Sequence, residues 1–162
     1  MAARPRVRRR LRRARRAPAA RYTIDASVFV NAFNPYEDGH GESLQLLTSI
    51  RDAGDPILVP TLLVTEVASA VARASGDSVG ALEYALAAAA LPHVTLVSLT
   101  SRLARQAAEL AAAHRLRGAD AVYLVVARRY GAMLVSRDAE QRTRGAAVTT
   151  CRSPERALAD RS

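Results

Sequence analysis

The chain has 162 residues, 49% of them hydrophobic, enough for one domain with a sizeable core; all 24 basic residues are arginine, so chemistries that need lysine (P-loop, Schiff base, Ser–Lys pair) are excluded. Ten arginines fall between Arg4 and Arg21, where there is no acid, which leaves residues 22–162 with 14 Arg against 15 Asp and Glu; this near-neutral balance excludes a domain whose basic charge is built into its fold. A single cysteine, Cys151, excludes an intramolecular disulfide framework and cysteine zinc clusters and fits a reducing cytoplasm, and no apolar run is long enough for a membrane span or a secretory signal.

Residues 1–20, rich in Arg and Ala, predict a disordered extension; its charge suits RNA phosphates, and equally a solvated tail or an unused upstream start. Residues 21–150 then read as one domain and 151–162 as a C-terminal tail or short helix. Tyr22–Asp25 predicts a strand and Ser27–Phe33 a short helix ended near Pro35. A polar loop over Glu37–Gly41 leads to a helix over Glu42–Ala53, with Leu44, Leu47 and Ile50 at helical spacing. Ile57–Val59 is a second strand, followed by helices over Thr61–Ala74 (Leu62, Val67, Ala70 and Val71 inward) and Ser78–Ala90. Val94–Leu99 predicts a third strand, and Thr100 caps a helix running to Ala113. After Gly118, Ala119–Tyr130 is a strongly apolar helix; Ala132–Val135 and Ala146–Thr149 predict the fourth and fifth strands, and Pro154–Asp160 a final turn or short helix. Strands separated by helices imply right-handed crossovers and a three-layer α/β/α sandwich around a five-stranded parallel sheet. Ligands of such sheets bind at the carboxyl ends of the strands.

Four carboxylates fall near such ends. Asp25 ends the first strand, Glu66 follows the second on a helix, Asp120 opens the apolar helix, and Asp138 follows the fourth strand. Each also has a structural reading: Asp25 as a helix cap, Asp120 as a helix-start acid favoured by the dipole, Asp138 in a turn. Glu66, with Val64, Val67 and Ala68 around it, is the hardest to account for that way. If the four converge, they need counter-charge, and with no lysine present Mg²⁺ or Mn²⁺ is the natural source. A metal-bound water of lowered pKa then points to phosphodiester hydrolysis without a side-chain nucleophile.

From about Tyr22 to Thr149 the motifs Ile24-Asp25-Ala26-Ser27, Glu66, Gly118-Ala119-Asp120-Ala121 and Ser136-Arg137-Asp138, in that order, resemble the PIN domain family, specifically its VapC-like ribonuclease toxins. The resemblance implies a metal-dependent endoribonuclease, a cognate antitoxin partner, and frequently a homodimer. It implies Asp25, Glu66 and Asp120 as core metal ligands and Asp138 as an assisting one, with Ser27 and Ser136 orienting carboxylates or waters. The arginine-rich extension is not part of the family pattern. An antitoxin peptide placing an arginine or lysine among the acids would neutralise the toxin, with apolar helices 42–53 and 61–74 as its docking surface.

Arg117 and Arg137 flank the acids and are candidate substrate-phosphate ligands, as is Arg115; surface solvation is the plainer reading. Tyr36 and Tyr123 are candidate base-stacking residues, with core packing the simpler account of Tyr123. His40, His93 and His114 have no metal-ligand spacing, Glu140 reads as a surface acid, and Cys151 as a bystander. A non-catalytic PIN-like scaffold that binds RNA or dimerises is the alternative function. A receiver domain would need a lysine, and a haloacid dehalogenase-like fold an Asp-x-Asp where Asp25-Ala26-Ser27 stands.

Overall fold

A computed structural model describes residues 20–161; the predicted extension, Ala20 apart, lies outside the described residues. In chain order the elements are β1 (Tyr22–Ile24), α1 (Ala26–Phe33), α2 (His40–Ala53), β2 (Ile57–Pro60), α3 (Leu62–Ser75), α4 (Ser78–Ala89) and β3 (Val94–Val97). There follow α5 (Ser101–His114), α6 (Gly118–Tyr130), β4 (Met133–Val135), α7 (Ala139–Gly145), β5 (Cys151–Arg152) and α8 (Pro154–Ala159). All strand pairs are parallel, in the order β3-β2-β1-β4-β5. The expected α/β/α sandwich with a five-stranded parallel sheet is what the chain forms.

The central strand β1 is buried along its whole length, as a parallel strand covered on both faces must be. One helical layer is the contiguous set α1, α2, α3, α4 and α8; α5 and α6 pack together as the other. The middle of helix α6 is apolar all round, and its residues Ala121 to Ala127 are buried without interruption. At the end of β1 the Asp25 N–H extends the ladder, donating to Val135 O at 2.9 Å. This fixes the start of α1 beside the carboxyl end of β4.

The fifth strand lies at Cys151–Arg152, not at Ala146–Thr149 as the sequence predicts. Between β4 and β5 stands α7, which the sequence reading did not separate from the loop. Its cap is Asp138, whose side chain accepts from Gln141 N. The apolar run after it turns back on Gly145, with Val148 N donating to Gly145 O at 2.8 Å and Thr149 N at 3.1 Å. Glycine is required there because a Cβ would stand 2.7 Å from Leu124 Cδ2 and 3.0 Å from Cys151 Sγ. Only beyond this turn is the backbone level with β4.

The inward faces of α2 and α3 are close to the expected ones. On α2 Ile50 is buried and Leu47 half-buried as expected, but Ser43 and Leu46 are inside and Leu44 is exposed. On α3 Val67 and Val71 are buried as expected, with Leu63 buried and Leu62 and Ala70 half-buried. Thr65, Ser69 and Arg73 face outward on α3, and Glu66 stands at the end of the sheet.

Candidate active site

Beyond the carboxyl ends of β1 and β2, a cavity of about 490 Å³ is lined by Asp25, Ala26, Ser27 and Val30 from the β1–α1 segment and by Thr65, Glu66, Ser69, Ala70 and Arg73 from α3. Arg117, Asp120 and Asp138 complete the wall. Side chains from four separate stretches thus open into one space, and all four predicted carboxylates are among them.

Asp25 is 8% exposed. Its Oδ2 accepts from Ser27 N at 2.9 Å and its Oδ1 from Gln141 Nε2 at 3.4 Å. Burial nevertheless holds its pKa above the ordinary carboxylate value, and the charge of Asp138 raises it further. Glu66 is raised mainly by burial and then by Asp25 and Asp120, against the lowering influence of the Tyr123 hydroxyl. That hydroxyl and Glu66 Oε2 are both buried without closing a hydrogen bond. Asp120, in the first turn of α6, is pushed up to about 6 by burial and by Asp25 and Asp138, with Arg117 pulling the other way. Asp138 caps α7 through Oδ1, while its Oδ2 accepts from Arg117 Nη1 at 3.3 Å. The structural reading of Asp25 as a cap is therefore true, Asp138 caps a helix where a turn was expected, and both acids still face the cavity.

The other predicted residues divide. Ser27 lines the cavity; its Oγ accepts from Arg137 N at 3.1 Å, which ties α1 to the β4–α7 junction. Ser136 is fully buried beneath, its Oγ accepting from Asp138 N at 3.0 Å. Arg117 is on the rim. Arg137 is not in the cavity wall: its guanidinium donates to Asp38 O at 2.8 Å, to Glu155 Oε1 at 3.2 Å and to Gly39 O at 3.5 Å, so its charge is spent on tying the α1–α2 loop to α8. Gly39 is the partner of that clamp, with φ +77° and a guanidinium where a Cβ would be.

Gln141 was not foreseen, and Tyr123, expected either to stack on bases or to pack in the core, packs in the core. Gln141, fully buried, reaches Asp25 and also the Asp120 carbonyl, at 3.5 Å. Its position three residues after a capping Asp was a legible signal for the cap, but not for the side chain's inward turn. Tyr123 is wholly buried in α6, which removes it as a base platform and sets its hydroxyl beside Glu66. His40 instead lies against Asn31 O, Tyr36 is almost fully exposed away from the cavity, and burial pushes the Cys151 thiol up to about 11, unsuited to a nucleophile.

The PIN domain model matches residues 22–146, from the start of β1 to the end of α7, and so takes in every acid of the cavity. The chain belongs to the PIN domain family. Comparison with curated proteins finds no match. Among solved structures, this PIN domain is similar to the sarcin–ricin-loop-cleaving toxin VapC20 of Mycobacterium tuberculosis, at 21% identity and a TM-score of 0.65, covering 76% of this chain and 94% of that one. It is also similar to FitAcB of Neisseria gonorrhoeae (18% identity, TM-score 0.62, 82% and 97% covered). A third likeness is to VapBC2 of Rickettsia felis bound to a DNA fragment from its promoter (12%, 0.61, 82% and 98%). At these identities the likeness is one of fold.

Among the described residues of this PIN domain, no three of His, Cys, Asp and Glu are already drawn together as a ligand set. The chemistry of the cavity nonetheless fits a hard divalent cation. Its donors are carboxylate oxygens, three of its acids have raised pKa values, and one buried Glu66 oxygen has no partner.

Proposed function

We propose that this PIN domain is a divalent-metal-dependent endoribonuclease and the toxin of a toxin–antitoxin pair. The observation that carries this reading is the single cavity lined by Asp25, Glu66, Asp120 and Asp138, where, among the described residues, Arg117 alone pairs with one of the four acids. Asp25, Glu66 and Asp120 would hold Mg²⁺ or Mn²⁺, with Asp138 assisting. A cation bound there supplies the positive charge that activates water for attack on a phosphodiester and offsets charge developing on the phosphate.

The chain's own residues set the stage for that chemistry. Ser27 and Gln141 fix the two oxygens of Asp25 by hydrogen bonds. The Tyr123 hydroxyl favours the ionised form of Glu66 without capturing it. Ser136 and the start of α7 hold the Asp138 backbone, and Arg117 at the rim is placed to meet substrate phosphate.

For the antitoxin, the support is a second, apolar cavity of about 280 Å³ between α1, α2 and α4, lined by Phe29, Leu44, Leu47, Tyr84 and Leu91 among others. This differs from the surface expected on helices 42–53 and 61–74, because the outward face of α3 is polar and belongs to the acid cavity. A separate stripe of Val79, Leu82 and Leu86 on α4, each at least half exposed, suits a second copy of the chain. A solved toxin–antitoxin complex from Klebsiella pneumoniae is also similar in fold, at 18% identity and a TM-score of 0.58, which favours the same partnership here.

The test is cleavage of RNA by purified protein. It should require Mg²⁺ or Mn²⁺, stop with EDTA, and fall by about 10²-fold or more in Asp25→Asn and in Asp120→Asn, each with an unchanged circular dichroism spectrum. Cleavage that persists in both variants contradicts the proposal; RNA binding without cleavage by the wild type would favour the scaffold.

A further inference from the structure

The outward face of α3 carries Thr65, Glu66, Ser69, Ala70 and Arg73 into the wall of the acid cavity. From Glu66 to Arg73 this is two helical turns, about 10 Å along the axis. The cavity is therefore elongated along α3, with acids at one end and a guanidinium at the other. Of its two arginines, Arg117 is bound to Asp138 and lies 4.0 Å from Glu140. Arg73 is different. Its guanidinium donates to Ser69 Oγ one turn back, and among the described residues it pairs with no carboxylate. The side chain is exposed to solvent, held over the cavity by a hydroxyl rather than neutralised.

A nucleic-acid strand entering a cavity of four carboxylates brings several phosphates, and only the one being cut can use a cation held among the acids. Its neighbour meets a negative field unless a positive side chain stands one step along the strand. We propose that Arg73, positioned by Ser69, binds the phosphate adjacent to the scissile one, so that a single strand of RNA lies along α3 from Glu66 to Arg73. This rests on the nuclease reading and adds to it the path of the substrate. Ala70, between the two, leaves that path open because its side chain ends at Cβ.

The test uses the full chain carrying Asp120→Asn, which retains the substrate uncut, and a fluorescein-labelled single-stranded RNA oligonucleotide followed by anisotropy in Mn²⁺ over a range of salt. Arg73→Gln should weaken binding by about tenfold and reduce the slope of log Kd against log salt by about 0.7, the value for one phosphate contact on a single strand. Arg73→Lys, which keeps a point charge, should recover most of both. In the cleaving protein, Arg73→Gln should raise KM more than it lowers kcat. An unchanged Kd and slope, or a lysine variant no better than glutamine, overturns the assignment of Arg73. If the Asp120→Asn parent does not hold RNA, the KM of the cleaving Arg73→Gln protein decides, an unchanged KM overturning the assignment; a wild-type chain that neither binds nor cleaves RNA in Mn²⁺ defeats the nuclease reading, and the Arg73 proposal with it.

Discussion

Three of the four acids bear a cost that the fold alone does not require. Asp25, Glu66 and Asp120 are all raised, Asp120 to about 6, so in the window from the ordinary carboxylate value up to these raised values the folded state holds protons that the unfolded chain has released. Their contribution to stability therefore falls as pH rises through that window, the reverse of a salt-bridged carboxylate. The metal-free protein should have a higher melting temperature near pH 5 than near pH 7.5, and Asp120→Asn should narrow the difference. At pH 7 that variant should be more stable than wild type by about 1 kcal/mol, less than the full shift implies because Asp120 is only half-buried and solvent screens it. Melting temperatures that rise steadily from pH 5 to 7.5 would show that the acids are not in one another's field. That Asp25, Glu66, Asp120 and Asp138 could share one cavity was legible in the sequence, since each sits where a strand ends or near where a helix starts. Their hydrogen-bond partners were not legible, because Tyr123 and Gln141 reach the acids through tertiary packing that no local pattern encodes.

At the scale of elements, two of the acids also hold helices together. Asp138 caps α7 and Asp25 caps α1, and asparagine caps as well as aspartate. Asp138→Ala should thus lower stability to urea by about 1 kcal/mol, whereas Asp138→Asn should lower it by only a few tenths while still impairing cleavage. Equal loss of stability in the two variants would mean that the charge, not the cap, holds α7. This double use explains why the chemistry was clearer in the sequence than the elements nearby: Asp138 could be recognised as an acid after a strand, yet the helix it starts went unseen. The misplaced fifth strand has the same origin. Ala146–Thr149 is apolar enough for a strand, but Gly145 must first pack against Leu124 and Cys151, and the run is spent on the turn that follows. Periodicity placed the faces of α2 and α3 only approximately. In short helices, one residue of rotation decides whether Leu44 or Ser43 is inside.

In the molecule as a whole, Arg161, just past α8, secures the first strand. Arg161 donates to the Tyr22 hydroxyl at 2.6 Å, to Asp55 Oδ2 at 2.8 Å and to Ser49 O at 3.0 Å, tying β1, α2 and the start of β2 together beneath α8. The pair with Asp55 is mostly buried, its side chains 18% and 15% exposed. Removing one partner strands the other, so Arg161→Ala should cost about 2–4 kcal/mol in urea unfolding, and an effect below about 0.5 kcal/mol would show the tie to be superficial. That bracing lies at the amino ends of the strands, while the acids gather at the carboxyl ends, where the sheet leaves space for substrate. We propose that side chains from β1–α1, α3, α6 and the β4–α7 junction act as one cation site. The decisive measurement is anomalous diffraction from crystals grown with Mn²⁺. A manganese peak bounded by Asp25, Glu66 and Asp120, lost in Asp120→Asn, is the expected result; well-ordered crystals with the cavity free of manganese, or a peak elsewhere that survives the substitution, would contradict it.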